Sequence, residues 1–173
     1  MDKEELLARL RQEWEATIED KGGYCTCCRR WGKINSYKIT KSMVKSLLWL
    51  SQFRDWVNLP VEAPRWILRT YSISTLARWG LIEQMAKEIP DDPEEQQTTK
   101  HSGMWRITPL GREFLHGRAS VPERVYIYDK EVIKVSDAKV YVYDCYEDFN
   151  YGQMMNERAI DAQALNKEME EAL

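Results

Sequence analysis

At Gly80 the hydrophobic pattern of the chain changes from a helical period to the alternation that is typical of strands. Before this glycine, "KSMVKSLLWLSQFRDWV" (residues 41–57) carries apolar residues at helical spacing, and Thr40 precedes it as the predicted N-cap. Its apolar arc is wide, so this helix is predicted to be central. After the glycine, "LIEQMAKEI" and "MWRIT" (104–108) predict a hairpin. The polar segment 90–103, with two prolines and no apolar residue, predicts its loop.

Shorter elements complete this middle part of the chain. "VNLP" predicts a short strand that Pro60 ends, and "APRWILRT" (63–70) predicts a helix with Pro64 near its start. "ISTLARW" predicts another short helix that Gly80 ends, and "PLGREFL" a last one that Pro109 opens. The order is helix, short strand, two helices, hairpin and helix. This order predicts a winged helix-turn-helix core.

The flanking regions predict smaller elements around this core. Apolar residues at helical spacing predict a helix over residues 2–20, and "KINSYKI" predicts an extended segment after a cysteine knuckle. "RVYIYD", "EVIKVS" and "KVYVYDCYE" alternate as three strands of a small antiparallel sheet, with Asp129 and Lys130 in the first turn. An apolar stripe predicts a C-terminal helix over about residues 151–172. We therefore predict an α+β fold of five parts: N-terminal helix 1–20, cysteine knuckle 21–39, winged-helix domain 40–118, β-sheet 119–150 and C-terminal helix 151–173.

Several motifs resemble known proteins. "WGLIEQ…KHSGMWRITPLGREFL" resembles the second half of many winged-helix transcription regulators. From residue 24 to about 155, roughly three quarters of the chain, the sequence is similar to a family of small, mostly uncharacterised tailed-phage and prophage proteins. That resemblance is carried by a Cys-x-x-Cys knuckle and by "WVNLP", "APRWILR", "RWGLIE", "HSGMWR", "VPERVYIYDKEV" and "FNYGQMM". It implies an architecture more than an activity.

Charge is unevenly distributed along the chain, whose net charge is −3. Residues 21–70 carry ten basic and two acidic side chains, whereas residues 119–173 carry six and twelve. The negative net charge of the chain argues against indiscriminate nucleic-acid binding. The basic stretch 21–70 predicts either a local basic face or a solvated surface that acidic neighbours balance. No apolar stretch approaches the roughly 20 residues of a membrane span. We expect a soluble protein in the host cytoplasm, without a membrane partner.

The motif "YCTCC" places Cys25 and Cys28 at the Cys-x-x-Cys spacing that supplies two ligands of a tetrahedral zinc site. These two residues are the predicted metal ligands, and zinc is the predicted cofactor. Cys25 and Cys28 supply only two of the four ligands, because no second pair of ligands follows at the spacing of a zinc finger or zinc ribbon. The candidates for completing it are Cys27, Cys145, His101, His116 or a second protomer. A metal-free remnant and a redox pair are the alternatives.

The predicted winged helix suggests how DNA would be bound. The element after the turn, residues 72–79, would enter the major groove, and the loop 90–103 would reach the backbone or minor groove. Four acidic residues of that loop oppose phosphate, however. The candidate DNA-binding residues are Arg29, Arg30, Lys33, Lys38, Lys41, Arg65, Arg69, Ser72, Ser74, Thr75, Arg78, Lys100 and Arg106.

No arrangement of residues predicts catalysis, since the two histidines lack a nucleophile motif and the glycines form no phosphate-binding loop. We therefore predict a non-enzymatic, phage-type winged-helix protein that binds DNA and has a regulatory role. The alternative is a protein-interaction module that binds and modulates a host or phage protein, which the acidic loop and acidic termini favour. The apolar stripes of the amphipathic terminal helices suit either a homodimer or packing on the domain of the same chain.

Overall fold

The structure is a computed structural model that describes residues 2–70, 72–86 and 102–156. It has an α+β fold with several small antiparallel sheets, so the predicted class is confirmed. The chain divides into two compact units. Unit 1 comprises Met1–Ile39 and Pro122–Lys139, and unit 2 comprises Thr40–Val121 and Val140–Leu173. Within the described ranges, no helix is both long enough and apolar enough to cross a membrane.

The elements follow one another in short segments. The helices are α1 (Lys3–Asp20), α2 (Lys41–Leu50), α3 (Leu59–Glu62), α4 (Arg65–Thr70), α5 (Pro109–Leu115) and α6 (Val142–Cys145). A 3-10 helix spans Ser74–Trp79, and residues 151–156 are helical. The strands are β1 (Gly23–Tyr24), β2 (Trp31–Gly32), β3 (Asn35–Lys38), β4 (Val57–Asn58), β5 (Ile82–Gln84), β6 (Met104–Ile107), β7 (Val121–Pro122), β8 (Arg124–Tyr128), β9 (Glu131–Val135) and β10 (Lys139–Val140).

Unit 1 begins with the predicted N-terminal helix, α1. Its first turn is closed by a capping box, in which the Asp2 carboxylate accepts from the N–H groups of Glu4 and Glu5 at 2.7 and 2.9 Å. Ile18 is its one buried residue. Strands β1 and β2 then pair as an antiparallel ladder on either side of the cysteine turn. The helix predicted over residues 2–20 is confirmed.

The sheet of unit 1 has the strand order β3-β8-β9. Asp129 and Lys130 join β8 to β9, and both have positive φ, as a type I′ turn requires. The predicted third strand is wrong: the run "KVYVYDCYE" supplies only β10, which pairs with β7, and continues as α6. The Asp144 carboxylate accepts from the N–H of Tyr141 at 2.7 Å, which closes the first turn of α6. The third strand of the sheet is instead β3.

Unit 2 is built around α2, as predicted from its wide apolar arc. The Thr40 hydroxyl accepts from the N–H of Met43, and six of the ten residues of the helix are buried. The helix ends at Leu50 and not near residue 57. The guanidinium of Arg112 donates to the carbonyls of Ser51 and Phe53 at 3.2 and 3.0 Å, which holds this segment outside the helix.

The rest of unit 2 places a small sheet beside the helices. Its strand order is β4-β6-β5, and both pairs are antiparallel. The short helices predicted over 63–70 and at "PLGREFL" are confirmed as α4 and α5, whereas "ISTLARW" forms a 3-10 helix. Gly80 ends that helix in the left-handed region, at φ 72°. Of the predicted C-terminal helix, residues 157–172 lie outside the described part.

Thr108 connects the start of α5 to the end of the 3-10 helix. Its hydroxyl accepts from the N–H of Gly111 at 3.0 Å and donates to the carbonyl of Gly80 at 2.6 Å. We expect Thr108→Val to lower the free energy of unfolding by about 1–2 kcal/mol, because the isosteric side chain loses both bonds. Thr108→Ser keeps the hydroxyl and should lose less than half as much. Urea denaturation measures both, and equal losses would contradict this role of the hydroxyl.

Candidate nucleic-acid interface

The 3-10 helix of unit 2 presents three of the predicted DNA-binding residues on one surface. Leu76 and Trp79 are buried and anchor the helix to the core. Ser74, Thr75 and Arg78 line a cleft of about 460 Å³ that is open to solvent. The structure therefore brings these predicted residues together at one site.

The other wall of this cleft comes from the hairpin. Gln84 on β5 and Trp105 on β6 are directly opposite each other in the strand register, and both line the cleft. An amide beside an indole offers hydrogen bonds and a stacking surface to a nucleobase or sugar. Sequence analysis missed both residues. The sequence does contain an indication of both residues. The alternating pattern of the predicted hairpin places Gln84 and Trp105 on the same face of its two strands.

Arg78 is the cation best placed for readout in this cleft. It is exposed, and it forms no ion pair with another residue of the described ranges. A guanidinium offers five N–H donors in a planar fork, which matches the two acceptors of a guanine edge or of a phosphate. Ser72, which was predicted beside it, instead donates its hydroxyl to the hydroxyl of Thr70 at 3.0 Å.

A second cleft of unit 2 combines two lysines with an indole. Lys41 and Lys45 lie one helical turn apart on α2, and the cleft of about 630 Å³ is completed by Ser42, Trp66 and Thr70. Lys41 Nζ also lies 4.3 Å from the ring centroid of Tyr146. Paired ammonium groups suit phosphate, and an exposed indole suits base stacking.

Trp66 and Thr70 were not among the predicted binding residues. Trp66 is 40% exposed, although most large apolar side chains of unit 2 are buried. In the sequence, the feature that could have indicated Trp66 is its position between Arg65 and Arg69. Both arginines lie on α4 and are exposed. The two arginines were predicted to bind DNA, and their exposure leaves them accessible to phosphate.

Arg106, another predicted DNA-binding residue, is held by contacts within the protein. Its Nε donates to the carboxylate of Glu83, which is its partner across the β5–β6 ladder. Its guanidinium carbon also lies 4.3 Å from the ring centroid of Trp56. An arginine that is already paired and stacked offers less to phosphate than Arg78 does. Lys100, predicted on the hairpin loop, lies outside the described residues.

The predicted basic residues of unit 1 are exposed but partly balanced by acidic neighbours. Arg29, Arg30, Lys33 and Lys38 are all exposed. Lys33 lines a cleft of about 510 Å³ together with Glu19, Asp20 and Lys134. Carboxylates in the same cleft oppose phosphate binding, so Lys33 fits a charge-balanced surface better than a DNA contact.

The cysteine turn of unit 1 places its three thiols close together in sequence but does not complete a metal site. Cys27 and Cys28 are exposed, Cys25 is half-buried, and the three form no disulfide within the described ranges. Hydrogen bonds from the backbone N–H groups of Cys28 and Cys27 lower the pKa of the Cys25 thiol. In the part of the chain that the structure describes, no cluster of three or more histidine, cysteine or acidic side chains is arranged to hold a metal ion.

Comparison with known proteins gives no relative of this chain. No protein-family model, curated protein or solved structure matches it. The function of the two unit 2 clefts therefore has to be inferred from their own chemistry. That chemistry combines aromatic and hydroxyl side chains with Arg78, Lys41 and Lys45, which form no ion pair with another described residue.

Proposed function

We propose that this protein is a phage-type winged-helix regulator that binds DNA in the host cytoplasm through unit 2. The observation that carries this proposal is the cleft in which Ser74, Thr75 and Arg78 meet Gln84 and Trp105. It joins the element predicted to read bases to the hairpin predicted to contact the backbone. An exposed arginine, two hydroxyls and an amide in one open cleft supply the donors and acceptors of base readout.

The order of elements in unit 2 supports the winged-helix assignment. α2, β4, α4, the 3-10 helix, β5 and β6 follow in the order expected for this fold, and the short helix α3 is an additional element between β4 and α4. Three residues separate Thr70 at the end of α4 from Ser74, which is the length of a helix-turn-helix turn. The sheet order is β4-β6-β5, and in the proposed winged helix the connection between β5 and β6 would be the wing.

The two clefts would contact different parts of the DNA. Arg78 would donate to a guanine edge, with Ser74 and Thr75 addressing a neighbouring base or phosphate. Lys41 and Lys45 would hold the phosphate backbone, with Trp66 packing on a sugar or an unstacked base. Phosphate contacts position a protein on the duplex and base contacts supply sequence preference. Variants of the two clefts should therefore behave differently.

This difference gives the test of the proposal. The full chain is used to select duplexes from a random pool, and affinity for the selected duplex is measured by fluorescence anisotropy at several salt concentrations. Arg78→Ala should weaken binding by about tenfold to a hundredfold and relax the preference at one base pair. Lys45→Ala should weaken binding to all sequences alike and reduce the salt slope by about one.

Arg118→Ala is the matched control, because it also removes one exposed guanidinium from unit 2. Arg118 is paired with Glu113 at 2.7 Å and lines neither cleft. Its variant should bind the selected duplex as the unmodified protein does. The proposal is contradicted if no duplex is selected, if binding does not depend on salt, or if Arg78→Ala and Arg118→Ala have equal effects.

A protein-binding role is the second candidate, and one observation in unit 1 favours it. Strand β9 lies at the edge of its sheet and exposes Val132, Ile133 and Val135 by 38%, 51% and 46%. An exposed apolar edge strand suits the addition of an extended segment from a partner protein. In this role the chain would modulate a host or phage protein. The anisotropy experiment separates the roles, since a protein-binding module has no reason to select a duplex.

A further inference from the structure

The cysteine turn of unit 1 is closed by its own backbone. The N–H of Cys25 donates to the carbonyl of Arg30 at 2.8 Å, and the N–H of Arg29 donates to the carbonyl of Cys25 at 2.9 Å. Strands β1 and β2 hold the two ends, with Tyr24 opposite Trp31. Arg29 has a φ of 60°, a conformation that a non-glycine residue keeps only where its surroundings impose it. The Cys-x-x-Cys segment is therefore held in one conformation.

That conformation suits a pair of metal ligands. Cys25 is half-buried and Cys28 is exposed, and neither forms a disulfide within the described residues. The thiolate is the form of cysteine that binds metals. Soft thiolate ligands select zinc over magnesium or calcium. Each thiol that binds the ion releases its proton to solvent, and no oxidant is needed.

One turn supplies only half of a structural zinc site, which takes four protein ligands. Unit 1 contains three cysteines and no histidine, because both histidines of the chain lie between residues 100 and 120. Cys27 lies between the two outer cysteines and has the Cys-x-x-Cys spacing with neither of them. The remaining soft ligands must therefore come from outside unit 1.

We propose that Cys25 and Cys28 from two copies of this chain bind a single zinc ion as a four-cysteine site. The surface around the turn fits contact with a second copy. Tyr24 and Trp31 are 67% and 57% exposed and meet edge to face, with ring centroids 5.1 Å apart. Leu7 is 48% exposed and lines a cleft of about 300 Å³ with Cys25. Exposed aromatic and apolar side chains of this kind are enriched in interfaces between protein chains.

Charge also favours a shared site. Four thiolates around one Zn²⁺ carry a net charge of −2, which needs nearby positive charge when partly removed from water. Arg29 and Arg30 follow Cys28 directly and are exposed, so each copy brings two guanidinium groups to the rim of the site. In this arrangement the four arginines of the two copies offset the negative charge of the zinc centre. This inference rests on unit 1 and is independent of the DNA-binding proposal for unit 2.

Native mass spectrometry tests the inference on the full chain, purified without added metal or chelator and then offered one equivalent of Zn²⁺ per two chains. We expect a dimer that carries one zinc ion and that dissociates into metal-free monomers with a chelator. Cys28→Ser should lose both the zinc and the dimer. Cys27→Ser and Cys145→Ser are the matched controls and should keep both. Cobalt substitution gives a second readout, since four thiolates produce a stronger charge-transfer absorption than two.

Several outcomes would overturn the inference. One zinc ion per monomer would mean that a single chain completes the site. Loss of zinc in Cys27→Ser or Cys145→Ser would mean a different ligand set. A chain that stays metal-free when Zn²⁺ is offered, or a dimer that survives removal of zinc, would mean that the ion does not join two copies. Circular dichroism of Cys28→Ser shows whether that variant is folded, and chelation of the unmodified protein tests the same dependence without a substitution.

Discussion

Replacing Gly111 with alanine is expected to lower the free energy of unfolding by roughly 3 kcal/mol or more. A Cβ atom at this position would overlap the carbonyl oxygen of Leu81 and lie 2.7 Å from Cγ1 of Ile107. The Leu81 carbonyl cannot move freely, because it accepts from the N–H of Thr108 at 3.1 Å. The added methyl group must therefore separate α5 from the sheet. Urea denaturation followed by tryptophan fluorescence measures the loss.

Gly152→Ala is the matched control for this substitution. Gly152 lies in the helical residues 151–156, and a Cβ there would meet only Asn150 Oδ1, at 3.7 Å. We expect its free energy of unfolding to stay within about 0.5 kcal/mol of the unmodified protein. A loss for Gly111→Ala as small as that of the control would show that α5 does not pack as closely on Leu81 as the structure has it.

Phe114→Ala is expected to cost about 3–5 kcal/mol, the range for removing a large buried side chain from a close-packed core. Phe114 is fully buried on the inner face of α5, which packs against α2. Truncation removes the whole aromatic ring and leaves a cavity in the core beside α5. Thermal and urea denaturation should agree on the loss.

Leu110→Ala, on the same helix, is the control for Phe114→Ala. Leu110 is 40% exposed, so its truncation removes contacts without opening an enclosed cavity, and we expect a loss below about 1 kcal/mol. Similar losses for the two variants would contradict the orientation of α5. A large loss for Phe114→Ala alone would support the packing that also positions Thr108 and Arg112.

The helices were the most predictable part of this fold, because their signals act over a few residues. The Thr40 cap, the Pro109 start and the Gly80 end are each a local contact or a backbone preference, and each lies where the sequence predicts it. The end of α2 was less predictable. It depends on Arg112, which lies about sixty residues further along the chain and binds the carbonyls of Ser51 and Phe53.

Strand partners were harder to predict than strands. Alternation predicts the β8–β9 hairpin, whose turn is local, but it also predicts a third strand where the chain forms α6. The strand that does complete the sheet, β3, precedes β8 by more than eighty residues, with Tyr37 opposite Val125. A β-strand satisfies its hydrogen bonds with any neighbour of suitable register, so its own residues do not specify the partner.

The residues of the candidate site also differ in how well the sequence predicts them. Ser74, Thr75 and Arg78 were predictable because one short helix carries all three. Trp66 and Trp105 were harder to predict, because each lines its cleft together with residues of another element: α4 with α2, and β6 with the 3-10 helix. The cysteine turn was likewise visible in the sequence as half of a zinc site.

By itself, then, the sequence determined the class of the fold, the places where α1, α2 and α5 begin and the residues of the 3-10 helix that face the first cleft. These follow from capping, turn conformation and apolar spacing, which act between neighbours in the chain. Only the tertiary structure decided which strands pair, where α2 ends and which aromatic residues complete the two clefts. These depend on contacts between residues far apart in sequence, and no local preference encodes them.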